Sequence, residues 1–340
     1  MSYVALTQDD QVVSSDIVVS AAWSNNQYTL SSFFTSSAQE SSTTGKFYLD
    51  VYQTSSTTTD ASVQFSIAWG DLNGSGSSYF NSAVPNITPS KDIYGQYRAL
   101  ILGDENSKFM FNTISGSNQI AAISVSREKY KQAFNPGSLT LTLKSGSNQI
   151  SLTDNSQVQT SATFINSVQY YTLVSGAAGT VFSTNDTPSG SYGYVFPDLG
   201  TIILNPNALS LTSSLGGLDA IFDLSAAAAS NTPNSPNNSL IFNMISGSTG
   251  GFSLQASEVI SSNYLFCRAR NSENNYTSNP TIIDTNGNLV YNQLIYSPVT
   301  YITTVGLYND NNELLAVAKL SKPLQKDFTK EALVRVKLSY

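Results

Sequence analysis

The segment Ser62–Trp69 limits what this chain can become. Val63, Phe65, Ile67 and Trp69 alternate with Ser62, Gln64, Ser66 and Ala68. A period of two puts every second side chain on one face of an extended chain, which fits a half-buried strand and not a helix. The same signature returns along the chain. Phe47, Leu49 and Val51 share a face in Lys46–Tyr52, and Leu139, Leu141 and Leu143 do so in Ser138–Leu143. Gly146 then turns the chain, and Ile150 and Leu152 continue as the second strand of a hairpin. Further strands are expected at Tyr170–Val174, Tyr192–Phe196, Thr201–Leu204, Leu240–Ile245, Phe252–Gln255 and Asn263–Ala269. The C-terminal end carries the strongest pattern. Tyr301–Tyr308, a turn at Asn309–Asn312 and Glu313–Leu320 read as a hairpin, Pro323 interrupts, and Leu333–Tyr340 closes with Val334, Val336, Leu338 and Tyr340 on one face.

Breakers separate these runs. Asp71–Gly76 and Asn231–Ser239, with Pro233 and Pro236, read as loops. Tyr97–Ser126 reads as strands joined by turns at Gly103–Asn106 and Ser115–Asn118. Helical signals are few. Arg127–Phe134 fits a short helix, and alanine-rich Leu218–Ala229 is the best helix candidate. The first 45 residues are rich in Ser and Thr with short apolar pieces such as Ile17-Val18-Val19, and fit an extended arm or an ordinary first strand of the next domain. The expected fold is all-β or β-dominated α+β, with antiparallel sandwich-like domains, short helices and an extended N-terminal arm. The expected division is an arm over 1–45, a β domain over 46–160, a β domain with a short helix over 161–300, and a C-terminal hairpin segment over 301–340 packed on the preceding domain.

Composition then removes several kinds of chemistry. Charged residues make up 11% of the chain, well below the usual quarter, and the net charge is −7. Nucleic-acid affinity comes mainly from phosphate neutralisation by Lys and Arg, so no nucleic-acid partner is expected. No apolar run approaches the length of a membrane-spanning helix and no secretory leader is read at Met1–Asp10, so no membrane partner is expected. The chain has no histidine and one cysteine, Cys267. Ser-His-Asp and Cys-His nucleophilic arrangements are therefore impossible, and so is a zinc site of ordinary ligands. Cys267 reads as a buried, inert thiol.

Other motifs yield to plainer readings. Asp284–Leu289 has alternating oxygen side chains like a calcium loop, but Leu289 stands where that loop needs glycine and Ile295 where it needs glutamate, so it reads as a turn. Asp219 and Asp223, four apart on the helix candidate, read as a solvated face and not as an acid–base pair. The tyrosines suit cores and subunit contacts better than sugar stacking. No cofactor and no catalytic residue is expected.

The stretch Tyr-Ile-Thr-Thr-Val-Gly-Leu-Tyr-Asn-Asp-Asn-Asn-Glu-Leu-Leu-Ala-Val-Ala-Lys-Leu-Ser-Lys-Pro-Leu from Tyr301 resembles a segment of virion structural proteins of tailed bacteriophages, notably myoviruses of marine bacteria. Asp92–Arg98, Arg127–Leu143 and Gly193–Asn205 look like the same group. The resemblance implies a structural part of the virion, in the tail baseplate or adjoining tail region. Such a part is assembled in the host cytoplasm and works by contacts with other tail or baseplate proteins and with copies of itself in a symmetric assembly. It implies no enzyme. A receptor- or glycan-binding tail-fibre module is the alternative. The residues expected to carry subunit contacts are Tyr301, Thr303, Val305, Gly306, Leu307, Tyr308, Leu315, Val317, Lys319 and Lys322. Thr303, Val305 and Leu307 with the facing Leu315 and Val317 are expected to form one buried hairpin face, and Gly306 to sit at a crowded backbone position. Lys319, Lys322, Lys326, Lys330, Arg335 and Lys337 make this end basic, whereas Lys46 is the sole basic residue in the first 90.

Overall fold

A computed structural model describes residues 4–35, 47–76, 88–183, 187–224, 236–275 and 280–339. The fold is β-dominated, with 44% strand and 15% helix. In chain order the first strands are β1 (Gln11–Ala21), β2 (Thr29–Leu30), β3 (Phe34–Thr35), β4 (Leu49–Tyr52), β5 (Val63–Asp71), β6 (Gln119–Val125) and β7 (Ala133–Phe134). The middle strands are β8 (Thr140–Ser145), β9 (Asn148–Asp154), β10 (Thr163–Ile165), β11 (Val168–Ala177), β12 (Thr180–Ser183), β13 (Gly193–Phe196) and β14 (Thr201–Leu204). The last are β15 (Phe252–Ser253), β16 (Gln255–Ala269), β17 (Thr300–Tyr308), β18 (Leu314–Lys326) and β19 (Ala332–Ser339). The α-helices are α1 (Pro89–Leu102), α2 (Arg127–Tyr130), α3 (Pro206–Leu209), α4 (Pro236–Ser246) and α5 (Gln293–Tyr296).

The chain forms two compact units, a central one of Val18–Glu258 and a terminal one of Met1–Ile17 with Val259–Tyr340. The central unit is built on one sheet of order β2-β15-β8-β9-β11-β13-β14-β6-β5-β4-β3, with β10 and β12 added on β11. The expected boundary at residue 160 falls inside this sheet. β11, β13 and β14, which lie beyond it in sequence, insert between β9 and β6, which precede it.

Two cores lie on the two faces of the sheet, as a period of two requires. β6 sends Ile120 and Ala122 to one face and Ala121, Ile123 and Val125 to the other. β14 divides in the same way, Ile203 against Ile202 and Leu204. The larger core is held between sheet ends that fold back on each other. Phe252 of β15 meets Phe65 of β5 with ring centroids 5.3 Å apart, and Trp23 meets Phe252 at 4.8 Å. Edge-to-face ring pairs of this kind add roughly 0.5–1.5 kcal/mol beyond the area they bury.

A helix covers each face. α1 lays Tyr94 and Ile101 on the smaller core, and α4 lays Ile241, Met244 and Ile245 on the larger one. Both correct the sequence expectation. Tyr97–Leu102 belongs to α1 and not to a strand, and Leu240–Ile245 to α4 and not to a strand. Pro89 opens α1, where a missing N–H costs nothing, and Gly103 closes it at φ 66°. The approach of α1 to the sheet is close at Gly70, where a Cβ would stand 3.1 Å from the Tyr94 Cα and 2.9 Å from the Ile120 Cγ1.

The helix expected at Leu218–Ala229 is absent over Leu218–Leu224, which is irregular, and its remainder lies outside the described residues. Arg127–Tyr130 is helical as expected, but Ala133–Phe134 is strand. The extended arm is replaced by ordered structure where residues 1–45 are described: β1 is an 11-residue strand, and Trp23 and Leu30 are buried in the larger core.

Candidate interaction surface

In the terminal unit β16 pairs antiparallel with β19 from Ser262↔Ser339 to Ala269↔Ala332, and β1 lies on the other side of β16. Alternation in β19 works as expected. Ala332 and Val336 are buried, Val334 and Leu338 half-buried, and Arg335 and Lys337 exposed. Arg335 and Lys337 lie over the Tyr264 ring at 5.4 and 5.6 Å. Cys267, on β16, is half-buried and not buried, and burial, with the nearby Asp10 carboxylate, pushes its thiol pKa up.

β17 and β18 form the expected hairpin. Its turn is closed by Asn309, whose Oδ1 accepts from the N–H groups of Asn311 (3.1 Å) and Glu313 (2.8 Å), and by Asn312, which adopts φ 61°. Asparagine tolerates this left-handed backbone.

The register changes the reading of its faces. Val305 pairs with Ala318 and Leu307 with Ala316, whereas Val317 pairs with Gly306 and Tyr308 with Leu314. Directly paired residues share a face. Val317 therefore lies on the face opposite Val305 and Leu307. Leu315 is the extra residue of a bulge between the Leu307↔Ala316 and Tyr308↔Leu314 pairs, and Thr303 falls in a second irregularity. The single buried face of Thr303, Val305, Leu307, Leu315 and Val317 does not form. Val305 and Leu307 are half-buried, while Thr303, Leu315 (69% exposed) and Val317 (57% exposed) are open. Tyr301, Gly306, Tyr308, Lys319 and Lys322 are exposed as well. Around Gly306 the near atoms belong to two exposed side chains and not to backbone. A Cβ there would stand 2.9 Å from the Tyr308 ring and 3.3 Å from Leu314.

Sequence reasoning missed Lys326, grouped with the surface cations but fully buried. Its ammonium donates to the Asn271 carbonyl (3.1 Å), the Asn275 Oδ1 (2.9 Å) and the Asp327 carbonyl (3.1 Å). All three ammonium donors are used. It anchors the loop after β16 to the base of the hairpin.

The terminal unit has little core of its own. Among the described residues its buried apolar side chains are Ala269, Ala332 and Val336. Yet it holds more than half of the large apolar side chains exposed among the described residues, in less than a third of the chain. Tyrosines are exposed in both units, Tyr28 and Tyr48 among them in the central one, but the buried ones lie in the central unit. Tyr94, Tyr130 and Tyr192 are buried in the central unit, whereas Tyr291, Tyr296, Tyr301 and Tyr308 stand exposed in the terminal one. Scattered exposed apolar residues are ordinary, but a unit that exposes many and buries few is a candidate contact surface.

The remaining candidate sites hold less. Asp219 lies at φ 53° in an irregular segment, with Oδ2 accepting from Asn148 at 2.6 Å, so Asp219 and Asp223 do not share a helical face. Asp284 forms the expected turn. Its Oδ1 accepts from the N–H groups of Asn286 and Asn288, and these bonds hold its carboxyl below the usual range. A polar cleft of about 360 Å³ in the central unit is lined by Phe111, Asn112, Ser117, Asn205 and Asn207. Its Asn205 amide is spent on the Ser189 and Ser191 carbonyls, and Asn112 Oδ1 on the N–H groups of Ile114 and Ser115. Among the described residues no helix is long and apolar enough to cross a membrane. Comparison with protein-family models, curated proteins and solved structures gave no match to this chain.

Proposed function

We propose that this chain is a structural component of a tailed-phage virion, in the tail baseplate or the adjoining tail region. It acts by holding neighbouring subunits in register, not by catalysis. The observation that carries the reading is the contrast between the two units. The central unit closes two cores around its sheet, while the terminal unit, with the segment that resembles phage virion proteins, leaves Tyr291, Tyr296, Tyr301, Tyr308 and several aliphatic side chains uncovered. Subunit interfaces are enriched in such aromatic side chains, which bury large areas and keep a polar handle. The partners are other tail or baseplate proteins and copies of the chain itself.

The test is fractionation of contractile tails after their distal fibres are sheared off, with the protein followed by mass spectrometry. An integral component stays with the tails. Recovery only in the fibre fraction, with binding of the isolated protein to host cells, would replace this reading with that of a receptor- or glycan-binding fibre module. Hydrolysis of cell-wall material or polysaccharide by the purified protein would refute a purely structural role.

A further inference from the structure

The sheet of the terminal unit ends in two strand edges that no other strand among the described residues covers, β1 on one side and β19 on the other. An uncovered edge presents a row of free N–H and C=O groups, and folded proteins guard such edges with proline, bulges, lysines or short strands. Gln11–Ile17 of β1 has neither the proline nor the lysine, and its one charged side chain is Asp16, with Asp9 and Asp10 just before the strand. It contains no glycine, and Val13 and Ile17 are 64% and 70% exposed. The β19 edge has the opposite character. It contains no acid, exposes Leu333, and carries Arg335 and Lys337. Asp16, Arg335 and Lys337 form no ion pair among the described residues.

We propose that β1 of one copy of this chain pairs with β19 of a second copy, extending the sheet across the subunit boundary. The proposal rests on the reading of the terminal unit as a subunit-contact module. A second copy is the occupant because both halves of a complementary contact lie on one sheet. An acidic, aliphatic edge faces one way and a basic, aliphatic edge the other. Pairing β1 with β1 in register would set Asp16 of two copies against each other, and pairing β19 with β19 would oppose Arg335 and Lys337. Like charges directly opposed in a sheet are destabilising, and charge complementarity selects partner and orientation. A contact between two different edges is heterologous, so it repeats from copy to copy and closes into a ring or extends as a filament. The central unit, with its covered cores, need not change.

The experiment is sedimentation and native mass spectrometry of the full chain at low and high salt. Four proteins are compared: wild type, Asp16→Lys, Arg335→Glu/Lys337→Glu, and the triple variant. The wild type is expected to self-associate, more weakly at high salt. Each single-edge reversal should weaken association by about tenfold or more. The triple variant should recover it, because its reversed edges again match. A mixture of the two single-edge variants should also associate. Thermal melting of each variant checks folding, and Asp16→Asn and Arg335→Gln repeat the test without reversed charge. Self-association that ignores the reversals would overturn β1–β19 pairing and leave the contact-module reading standing. A monomeric wild type that still enters particles would overturn pairing between copies and point to a different protein as neighbour. Loss in the single-edge variants without recovery in the triple would also overturn it.

Discussion

Leu315 separates a fold that needs the hairpin from an assembly that needs it. The extra residue of the β18 bulge, it stands 69% exposed. An aspartate at a dry site would cost several kcal/mol, but an exposed substitution away from special features usually changes stability by less than about 0.5 kcal/mol. Leu315→Asp should therefore leave the melting temperature of the isolated chain within a degree or two of wild type. Assembly is another matter. Burying a whole leucine side chain contributes roughly 1.5–3 kcal/mol, and about two thirds of that is still available here, so covering Leu315 in a subunit contact contributes about 1–2 kcal/mol. Leu315→Ala should then weaken incorporation by up to roughly five- to thirty-fold per contact, and Leu315→Asp more, because it also buries a charge. The assay is complementation of a phage lacking the gene, scored by particle yield and by the protein content of purified tails, beside thermal melting of the purified chain. If Leu315→Asp unfolds the isolated chain, the residue is part of an internal core. If both variants enter tails at wild-type levels, this face of the hairpin is not a contact.

Gly70→Ala should destabilise the central unit by about 1–3 kcal/mol through overpacking against the Tyr94 backbone, seen as a fall in melting temperature of ~2–4 °C per kcal/mol. An unchanged melt would mean that α1 can retreat from the sheet at no cost. Lys326→Met keeps the buried stem but strands the Asn271 and Asp327 carbonyls and the Asn275 amide oxygen. It should cost about 2–4 kcal/mol and raise amide exchange through the loop after β16, whereas wild-type exchange there would rule out the ammonium as its anchor. Asp284 and Asp327 have carboxyls held below the ordinary value of 3.8 by hydrogen bonds, chiefly from the Asn288 N–H and from the Thr329 hydroxyl respectively. A lowered folded-state pKa contributes stability that is present above the unfolded value and lost as pH falls through the lowered one. Both turns should accordingly loosen on acidification below about 3.8, and Asp284→Asn should remove that dependence at its own turn. Amide exchange that does not respond to acid would contradict this.

Strands were legible in this sequence because a sheet buried on both faces still alternates between two cores. Thr201–Leu204 and the Gly146 hairpin lie where the pattern puts them. The helices were less legible for a related reason. In α1 the buried residues Tyr94 and Ile101 come from a Tyr- and Ile-rich stretch that resembles strand composition, and in α4 Leu240–Ile245 is a short apolar run that periodicity alone cannot assign. The signals that would have found α1 were present: a proline at its first turn and a glycine just past its end. Over the described part of the other helix candidate, Leu218–Leu224, the backbone is irregular, and Leu218, Ala220 and Phe222 reach the larger core from it; the alanine run itself lies outside the described residues.

The hairpin shows where the sequence pattern stops being informative. Its strands and its turn were readable, yet its faces were assigned wrongly, because one bulged residue exchanges the two faces of a strand from that point on. Leu315 is such a residue, so Val317 moves from the side of Val305 to the side of Gly306 and Tyr308. Burial adds a second difficulty. Alternation marks the faces that become apolar, but the pattern is the same whether an apolar face is covered by the chain's own core or by another subunit. In the central unit the covering elements follow in the same chain, as α1 and α4. In the terminal unit the strands β1, β17 and β18 carry aliphatic and aromatic side chains that the described residues leave open. A two-stranded ribbon is marginal alone in water, and this one leaves Tyr301, Leu314, Leu315 and Val317 exposed, which is what the proposed subunit contact would cover.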